Sequence, residues 1–263
     1  MIDVLKILKN QGYQTINDVI GAKLHEKFRG LPVIKNIECK EECTKCMDAC
    51  GTGAINLKPL TIDLGKCTFC PECEYICKIK KIDFTNNFNT YSNDRDALII
   101  NEKNQTDSLI IEEKIRKEIR SVLGRSLKLR QVSAGGCGGC ELELNATGNV
   151  NFDISRFGID FVASPRHADG LLITGPITKN MSKALEITFN AIPEPKIIIL
   201  CGACSISGGI FDGSNAIDRK FTKNVRVDLY LPGCPPHPLT IINGILKLMH
   251  KQNFKNYINN AHS

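Results

Sequence analysis

Apolar and polar positions change their rhythm several times along the chain. Residues 1–30 carry only weak helical character. Residues 31–90 contain short apolar stretches broken by cysteines. Residues 86–107 (NNFNTYSNDRDALIINEKNQTD) are polar and Asn-rich, which predicts a linker or loop with one short strand at 97–100. Ile111, Ile115, Ile119 and Val122 then fall on one face at helical spacing, predicting a helix over 108–123 that stops at Gly124. Beyond it, short apolar runs alternate with helical segments. Strands are predicted at 127–132, 159–163, 171–174, 197–200 and 225–231. Helices are predicted at 178–191, with Thr178 as cap and Pro193 and Pro195 as stops, and at 239–249. This alternation predicts a mainly parallel, doubly wound α/β sheet. The chain divides into an N-terminal extension (1–30), a small cysteine-rich domain (31–90), a linker with an amphipathic helix (91–126) and the α/β domain (127–263).

Composition sharpens this picture. Of 263 residues, 42% are hydrophobic and 24% charged, so the chain can bury a core and is not a disordered segment. The first residues lack the basic and apolar regions of a signal peptide, and no apolar run approaches the roughly 18 residues of a spanning helix. The expected setting is cytoplasmic, where thiols stay reduced. Thirteen cysteines in such a setting point to metal.

Eight of these cysteines form two quartets. Cys67-x2-Cys70-x2-Cys73-x3-Cys77 has the bacterial ferredoxin spacing, in which three close cysteines hold one iron–sulfur cube and the fourth reaches the other. Cys39-x3-Cys43-x2-Cys46-x3-Cys50 is followed by Gly51-Thr-Gly-Ala-Ile, which resembles the C-P-T-G-A-I run of two-cluster ferredoxins. It departs by one extra residue in the first spacer and by Gly51 in place of proline; Lys78 likewise stands where a proline would follow Cys77. Crossed ligation assigns Cys39, Cys43, Cys46 and Cys77 to cluster 1, and Cys67, Cys70, Cys73 and Cys50 to cluster 2. Structural zinc is the competing reading, but two full quartets fit its paired ligands poorly.

Four of the five remaining cysteines sit on glycine-rich turns at the carboxyl ends of predicted strands, where open α/β sheets place ligands. The turns read Gly135-Gly-Cys137-Gly-Gly-Cys140-Glu141, Gly202-Ala-Cys204-Ser-Ile-Ser-Gly-Gly and Pro232-Gly-Cys234-Pro-Pro. Together with Arg156-Phe-Gly-Ile, Ser164-Pro-Arg-His-Ala-Asp169 and Thr174-Gly-Pro, they resemble the small, cluster-bearing subunit of membrane-bound [NiFe] hydrogenases of the formate hydrogenlyase and hydrogenase-4 type. That family is homologous to the quinone-proximal 20 kDa subunit of complex I. The resemblance covers about 127–249 and implies a flavodoxin-like doubly wound sheet carrying one cluster, preceded here by a small α+β two-cluster ferredoxin domain. It implies that Cys137, Cys140, Cys204 and Cys234 hold a proximal cluster, for three [4Fe–4S] clusters in all. The complex I branch carries adjacent cysteines where this chain has C-x2-C, which favours the hydrogenase side. A fused two-cluster unit is a further departure, since in most such complexes it is a separate polypeptide.

The resemblance implies an oxidoreductase subunit that moves electrons, with bond chemistry on another chain. No P-loop, no nucleophile–base motif and no G-x-G-x-x-G after a strand is present. The implied partners are a hydrogenase-like or complex I 49 kDa-like large subunit, other soluble and membrane subunits that hold the chain at the inner face of the membrane, and a redox donor protein. A complex-I-like relative without nickel is the alternative. A zinc-binding nucleic-acid module is a remote one.

Other residues carry weaker expectations. Glu141 is a relay or interface residue, or an ordinary hydrogen-bonded acid. Arg166 and His167 tune the proximal cluster or line an interface, or pair with Asp169. His237 starts a helix. Cys201, at the end of an apolar strand, reads as a buried apolar thiol. Basic residues between Lys114 and Arg130 share their segment with Glu112, Glu113 and Glu118 and predict a solvated face, not nucleic-acid binding. Three oxidised clusters with their thiolates carry about −6, which offsets the formal +6 of the chain.

Overall fold

The computed structural model describes residues 2–40, 42–105 and 126–249; the helix expected over 108–123 and most of the basic stretch lie outside them. The chain opens with an exposed helix, α1 (Ile2–Gln11). The rest of the N-terminal extension runs along the later α/β domain. Val19 is buried in that domain's core, and Ile16, Ala22, Leu24 and Phe28 pack against the same core. Asn243 Nδ2 donates to the Val19 carbonyl at 2.8 Å, and the Ile16 amide donates to Asn151 at 2.8 Å.

The cysteine-rich unit is α+β. It comprises β1 (Pro32–Ile34), α2 (Lys45–Asp48), β2 (Ile55–Asn56), β3 (Thr61–Asp63), α3 (Glu72–Ile76), β4 (Ile82–Phe84) and β5 (Ile99–Ile100). β1 pairs with β4, and β2, β3 and β5 form a second antiparallel sheet. Each quartet has one short helix: α2 carries Cys46 and α3 carries Cys73. Leu31, Ile34, Ala54, Ile55, Ile62, Leu64, Ile82, Leu98 and Ile100 form a core under both.

Residues 91–105, expected within a linker, are structural. The predicted strand at 97–100 shortens to Ile99–Ile100, because residues 96–98 form a 3-10 turn. The Gln105 amide group then bonds both backbone groups of Ile34, at 2.5 and 2.8 Å, and so extends β1. Upstream, Phe88 and Tyr91 are buried in the α/β core, and Ser92 pairs with Tyr230 through two backbone hydrogen bonds of 2.7 and 3.1 Å. Asparagine-rich composition hid this, since the segment buries its backbone pairing and two aromatics and leaves its amides to make local turns.

The α/β domain contains β6 (Leu127–Ser133), α4 (Gly139–Ala146), β7 (Ile159–Phe161), β8 (Gly170–Thr174), α5 (Lys179–Ala191), β9 (Ile197–Cys201), α6 (Ala203–Ser207), α7 (Lys220–Asn224), β10 (Leu229–Leu231) and α8 (Pro238–Leu248). All its strand pairs are parallel, in the order β10-β9-β8-β6-β7. Counted within the sheet this is the 2-1-3-4-5 order of the flavodoxin-like fold, as expected. Every residue of β8 and β9 is buried, because apolar clusters cover both faces. Two predicted boundaries move. The strand expected over 225–231 begins only at Leu229, because Asp228 turns in to accept from the Ile198 amide at 2.9 Å. Thr178 precedes α5, but its hydroxyl makes no cap bond; its side chain lies against Gly135, where an added Cβ would come within 2.4 Å.

Candidate metal centres

The eight N-terminal cysteines gather into two groups around separate cavities. One is lined by Cys39, Cys43, Cys46 and Cys77, and the other by Cys50, Cys67, Cys70 and Cys73. Each cavity thus takes three cysteines from one sequence quartet and one from the other. Backbone amides point at the sulfurs: Ala54 N–H donates to Cys50 Sγ at 3.2 Å, Phe69 to Cys67 at 3.3 Å and Lys81 to Cys77 at 3.4 Å. Such donors stabilise negative sulfur. Burial pushes the Cys67 and Cys73 thiols up to about 12, and Cys46 is raised for the same reason. Ligation there must therefore displace protons that metal-free thiols hold firmly. Among the described residues, no three His, Cys, Asp or Glu groups converge tightly enough for a single ion. The thiols ring open spaces instead, as a multi-iron cube requires, because its sulfides separate the ligands.

A third group lies at the carboxyl edge of the parallel sheet. Cys137 is on the turn after β6, and Cys140 is in the first turn of α4, which Gly138 (φ +88°) introduces. Cys204 is on α6, directly after β9, and Cys234 follows β10. Burial pushes the Cys204 thiol up to about 11, with Cys234, Cys140 and Cys137 adding to the shift. The Gly202 α-carbon lies under Cys140: a Cβ there would stand 2.5 Å from its Sγ. The donor set of four thiols, with glycine where a side chain would block it, fits a cluster. Cys234 also faces the neighbouring unit. After burial, the charges that raise it come from Cys140, Cys137 and Cys70. Thr68 and Phe69, between two thiols of the second group, share one crevice with Gly233, Cys234 and Pro235.

Sequence reasoning missed several residues around this edge. Arg219 buries its guanidinium beneath α6 and donates to the carbonyls of Ser205 at 2.7 Å, Ile206 at 2.8 Å, Cys204 at 3.3 Å and Pro176 at 3.4 Å. It thereby ties the Cys204 turn to the sheet and sets a positive charge beside it. Arg29 Nε donates to the Phe69 carbonyl at 3.0 Å, clasping the second group from the N-terminal extension. Neither lies in a recognisable motif.

The weaker candidates separate. Glu141 Oε1 accepts from Ser133 and Thr174, each at 2.6 Å, and so bridges the ends of β6 and β8. Burial opposes its charge, but these bonds outweigh it and hold the carboxyl below the usual range. Arg166 and His167 are exposed on the turn before β8, at the amino edge of the sheet and away from the cysteines. Asp169 does not pair with them; it accepts from the Lys128 amide at 2.7 Å. His237 caps α8, its Nδ1 accepting from the Leu239 amide at 3.1 Å.

Residues 137–248 match the family described as NADH ubiquinone oxidoreductase, 20 Kd subunit. The chain is 37% identical over 139 residues to the probable membrane-bound hydrogenase subunit mbhJ of Pyrococcus furiosus, covering 53% of this chain and 83% of that protein. It is 47% identical over 120 residues to formate hydrogenlyase subunit 7 of Escherichia coli, covering 46% and 47%. It is 43% identical over 112 residues to an NADH-quinone oxidoreductase subunit of Citrifermentans bemidjiense, covering 43% and 65%. On these matches and on its parallel sheet with cysteines at the carboxyl edge, the chain belongs to the family of the 20 kDa subunit of NADH ubiquinone oxidoreductase.

Proposed function

We propose that this chain is the iron–sulfur electron-transfer subunit of a membrane-associated [NiFe]-hydrogenase-like complex of the formate hydrogenlyase type. It holds three [4Fe–4S] clusters: one on Cys39, Cys43, Cys46 and Cys77, one on Cys50, Cys67, Cys70 and Cys73, and one on Cys137, Cys140, Cys204 and Cys234. Bound clusters supply single-electron transfer. The chain's residues fix where the clusters sit and how negative charge on their sulfurs is offset, through amide donors and Arg219. The observation that carries this reading is the crevice in which Thr68 and Phe69, flanked by Cys67 and Cys70, meet Gly233, Cys234 and Pro235, beside the second and third thiol groups.

No described helix is long and apolar enough to cross a membrane. Attachment at the inner face of the membrane is therefore assigned to partner subunits. A large subunit of the hydrogenase or 49 kDa type is the partner proposed over Cys137 and Cys140, of which Cys137 is exposed and Cys140 half-buried. Anaerobically prepared protein should contain about twelve iron and twelve acid-labile sulfur atoms per chain; four of each would sink the three-cluster reading. Recovery of no large subunit with the chain from native membranes would sink the complex. The identity to the NADH-quinone oxidoreductase relative favours a second reading, a complex-I-like assembly without nickel. The partner large subunit decides between them by the presence or absence of its two C-x2-C pairs.

A further inference from the structure

We propose that Lys81 is a positioning residue for Cys39: its buried side chain holds the segment that presents this thiol to the first cavity, and so keeps all four irons in the cluster there. The inference rests on the assignment of a cluster to Cys39, Cys43, Cys46 and Cys77 proposed above. Lys81 is 6% exposed. Its ammonium has three N–H donors. They go to the Ile37 carbonyl at 2.6 Å, the Lys35 carbonyl at 3.2 Å and the Glu102 carboxylate. The backbone of Lys81 serves the same cavity. Its amide donates to Cys77 Sγ at 3.4 Å, and its carbonyl accepts from the Lys35 amide at 2.8 Å. Cys39, Cys77 and Lys81 line one cavity. One residue thus reaches the Cys77 thiol directly and Cys39 through a carbonyl two residues away.

Cys39 has little else to hold it. It is exposed and lies in no helix or strand. Among the described residues, the stretch 36–40 makes one hydrogen bond to a residue distant in sequence, the one from Lys81 to Ile37. Its other two close local turns, from the Ile37 amide to Lys35 and from the Cys43 amide to Lys40. Cys46, by contrast, is buried on α2, and Cys77 directly follows α3. The spacer between Cys39 and Cys43 is also one residue longer than the bacterial ferredoxin spacing, so the turn alone leaves Cys39 more freedom. Lys81 supplies the missing restraint. With all its donors used and its side chain largely shut off from water, releasing Ile37 would leave a donor and a carbonyl unpaired.

The test is iron release from the full chain, loaded anaerobically with iron and sulfide and then treated with ferricyanide. A [4Fe–4S] cluster in its 2+ state that lacks a thiolate gives up one ferrous ion and passes one electron to the ferricyanide, leaving an oxidised three-iron cluster. That product has an electron paramagnetic resonance signal, whereas the intact 2+ cluster is silent. Lys81→Met keeps the apolar stem and removes the donors. It should speed release of the first iron about tenfold or more, the scale of one charge-assisted hydrogen bond, and give the signal that Cys39→Ala gives. In the double variant, Lys81→Met should add nothing to Cys39→Ala, because Lys81 acts through that thiol. Lys81→Gln, too short to reach Ile37, carries the same expectations if the methionine variant takes up no iron. Release at the wild-type rate would overturn the inference, and so would an effect that adds in full to that of Cys39→Ala, since a merely structural lysine would act without Cys39. Both results leave the clusters in place. Wild-type protein with only about eight irons, unchanged in Cys39→Ala, would instead overturn the cluster assignment, and this inference with it.

Discussion

Arg95 clasps Asp63 through both carboxylate oxygens, at 2.8 and 2.5 Å. Asp63 ends β3 in the cysteine-rich unit and also accepts from the Gly65 amide at 2.9 Å. Arg95 belongs to the segment that pairs with Tyr230 of the α/β domain through Ser92. The guanidinium lies against Gly65, which in turn contacts Ile206. The pair thus sits on the seam that sets the second cysteine group against the third.

Breaking this clasp should loosen the seam. The pair is partly buried, with Asp63 far less exposed than Arg95. Asp63→Ala should therefore cost about 1–3 kcal/mol, less than a fully buried pair. Denaturant unfolding of the loaded protein gives the number. An unchanged midpoint would show that the clasp contributes nothing.

Gly202→Ala should empty the third site alone. Its Cβ would stand 2.5 Å from Cys140 Sγ, and φ +93° strains any other residue. Iron should fall from about twelve to about eight per chain. A variant that retains all twelve would contradict the placement of Cys140.

The two halves of the N-terminal extension should behave oppositely. Val4, Leu5, Ile7 and Leu8 of α1 are all more than half exposed, whereas Val19 is 2% exposed. Deleting residues 1–12 should leave thermal stability and iron content unchanged. Asn243→Leu, which strands the buried Val19 carbonyl, should cost about 1–3 kcal/mol. Equal losses from both changes would reverse this division.

His237 should make stability fall in mild acid. Burial holds its pKa below the ordinary 6.5. Its ring is enclosed edge-on by Phe28 and Phe152 at 5.3 and 5.9 Å. Below pH 6.5 the unfolded chain takes up a proton that the folded ring resists. The stability from the neutral ring is thus complete above pH 6.5 and is lost as pH falls through the folded value. His237→Asn keeps a capping acceptor and removes the titration. Its stability relative to wild type should rise between pH 7 and pH 5.5; parallel curves would exclude the effect.

Much of this protein was legible from local chemistry. Cysteine spacing decides which three thiols of each quartet gather at one cavity, because a few residues of chain allow only a few Ångströms of reach. The alternation of apolar runs with helical segments decides a parallel doubly wound sheet, because a strand buried on both faces needs helices on each side. The glycines beside Cys137, Cys204 and Cys234 mark turns that a side chain would block. What local chemistry could not decide is what those parts touch. The asparagine-rich stretch looks solvated, yet Phe88, Tyr91 and Ser92 are buried against β10 and α8. The extension with weak helical character runs along the α/β core through Val19. Arg166 and His167 share a motif-like run with the cysteine turns but fall at the opposite edge of the sheet. Arg219 and Arg29 carry no local signal, because their partners are backbone carbonyls distant in sequence. Cys201 is three residues from Cys204 and reads as filler. Only the packing of the α/β core brings it into the same buried cluster that Cys140 packs against, because long-range packing, not spacing, decides which side chains share a core.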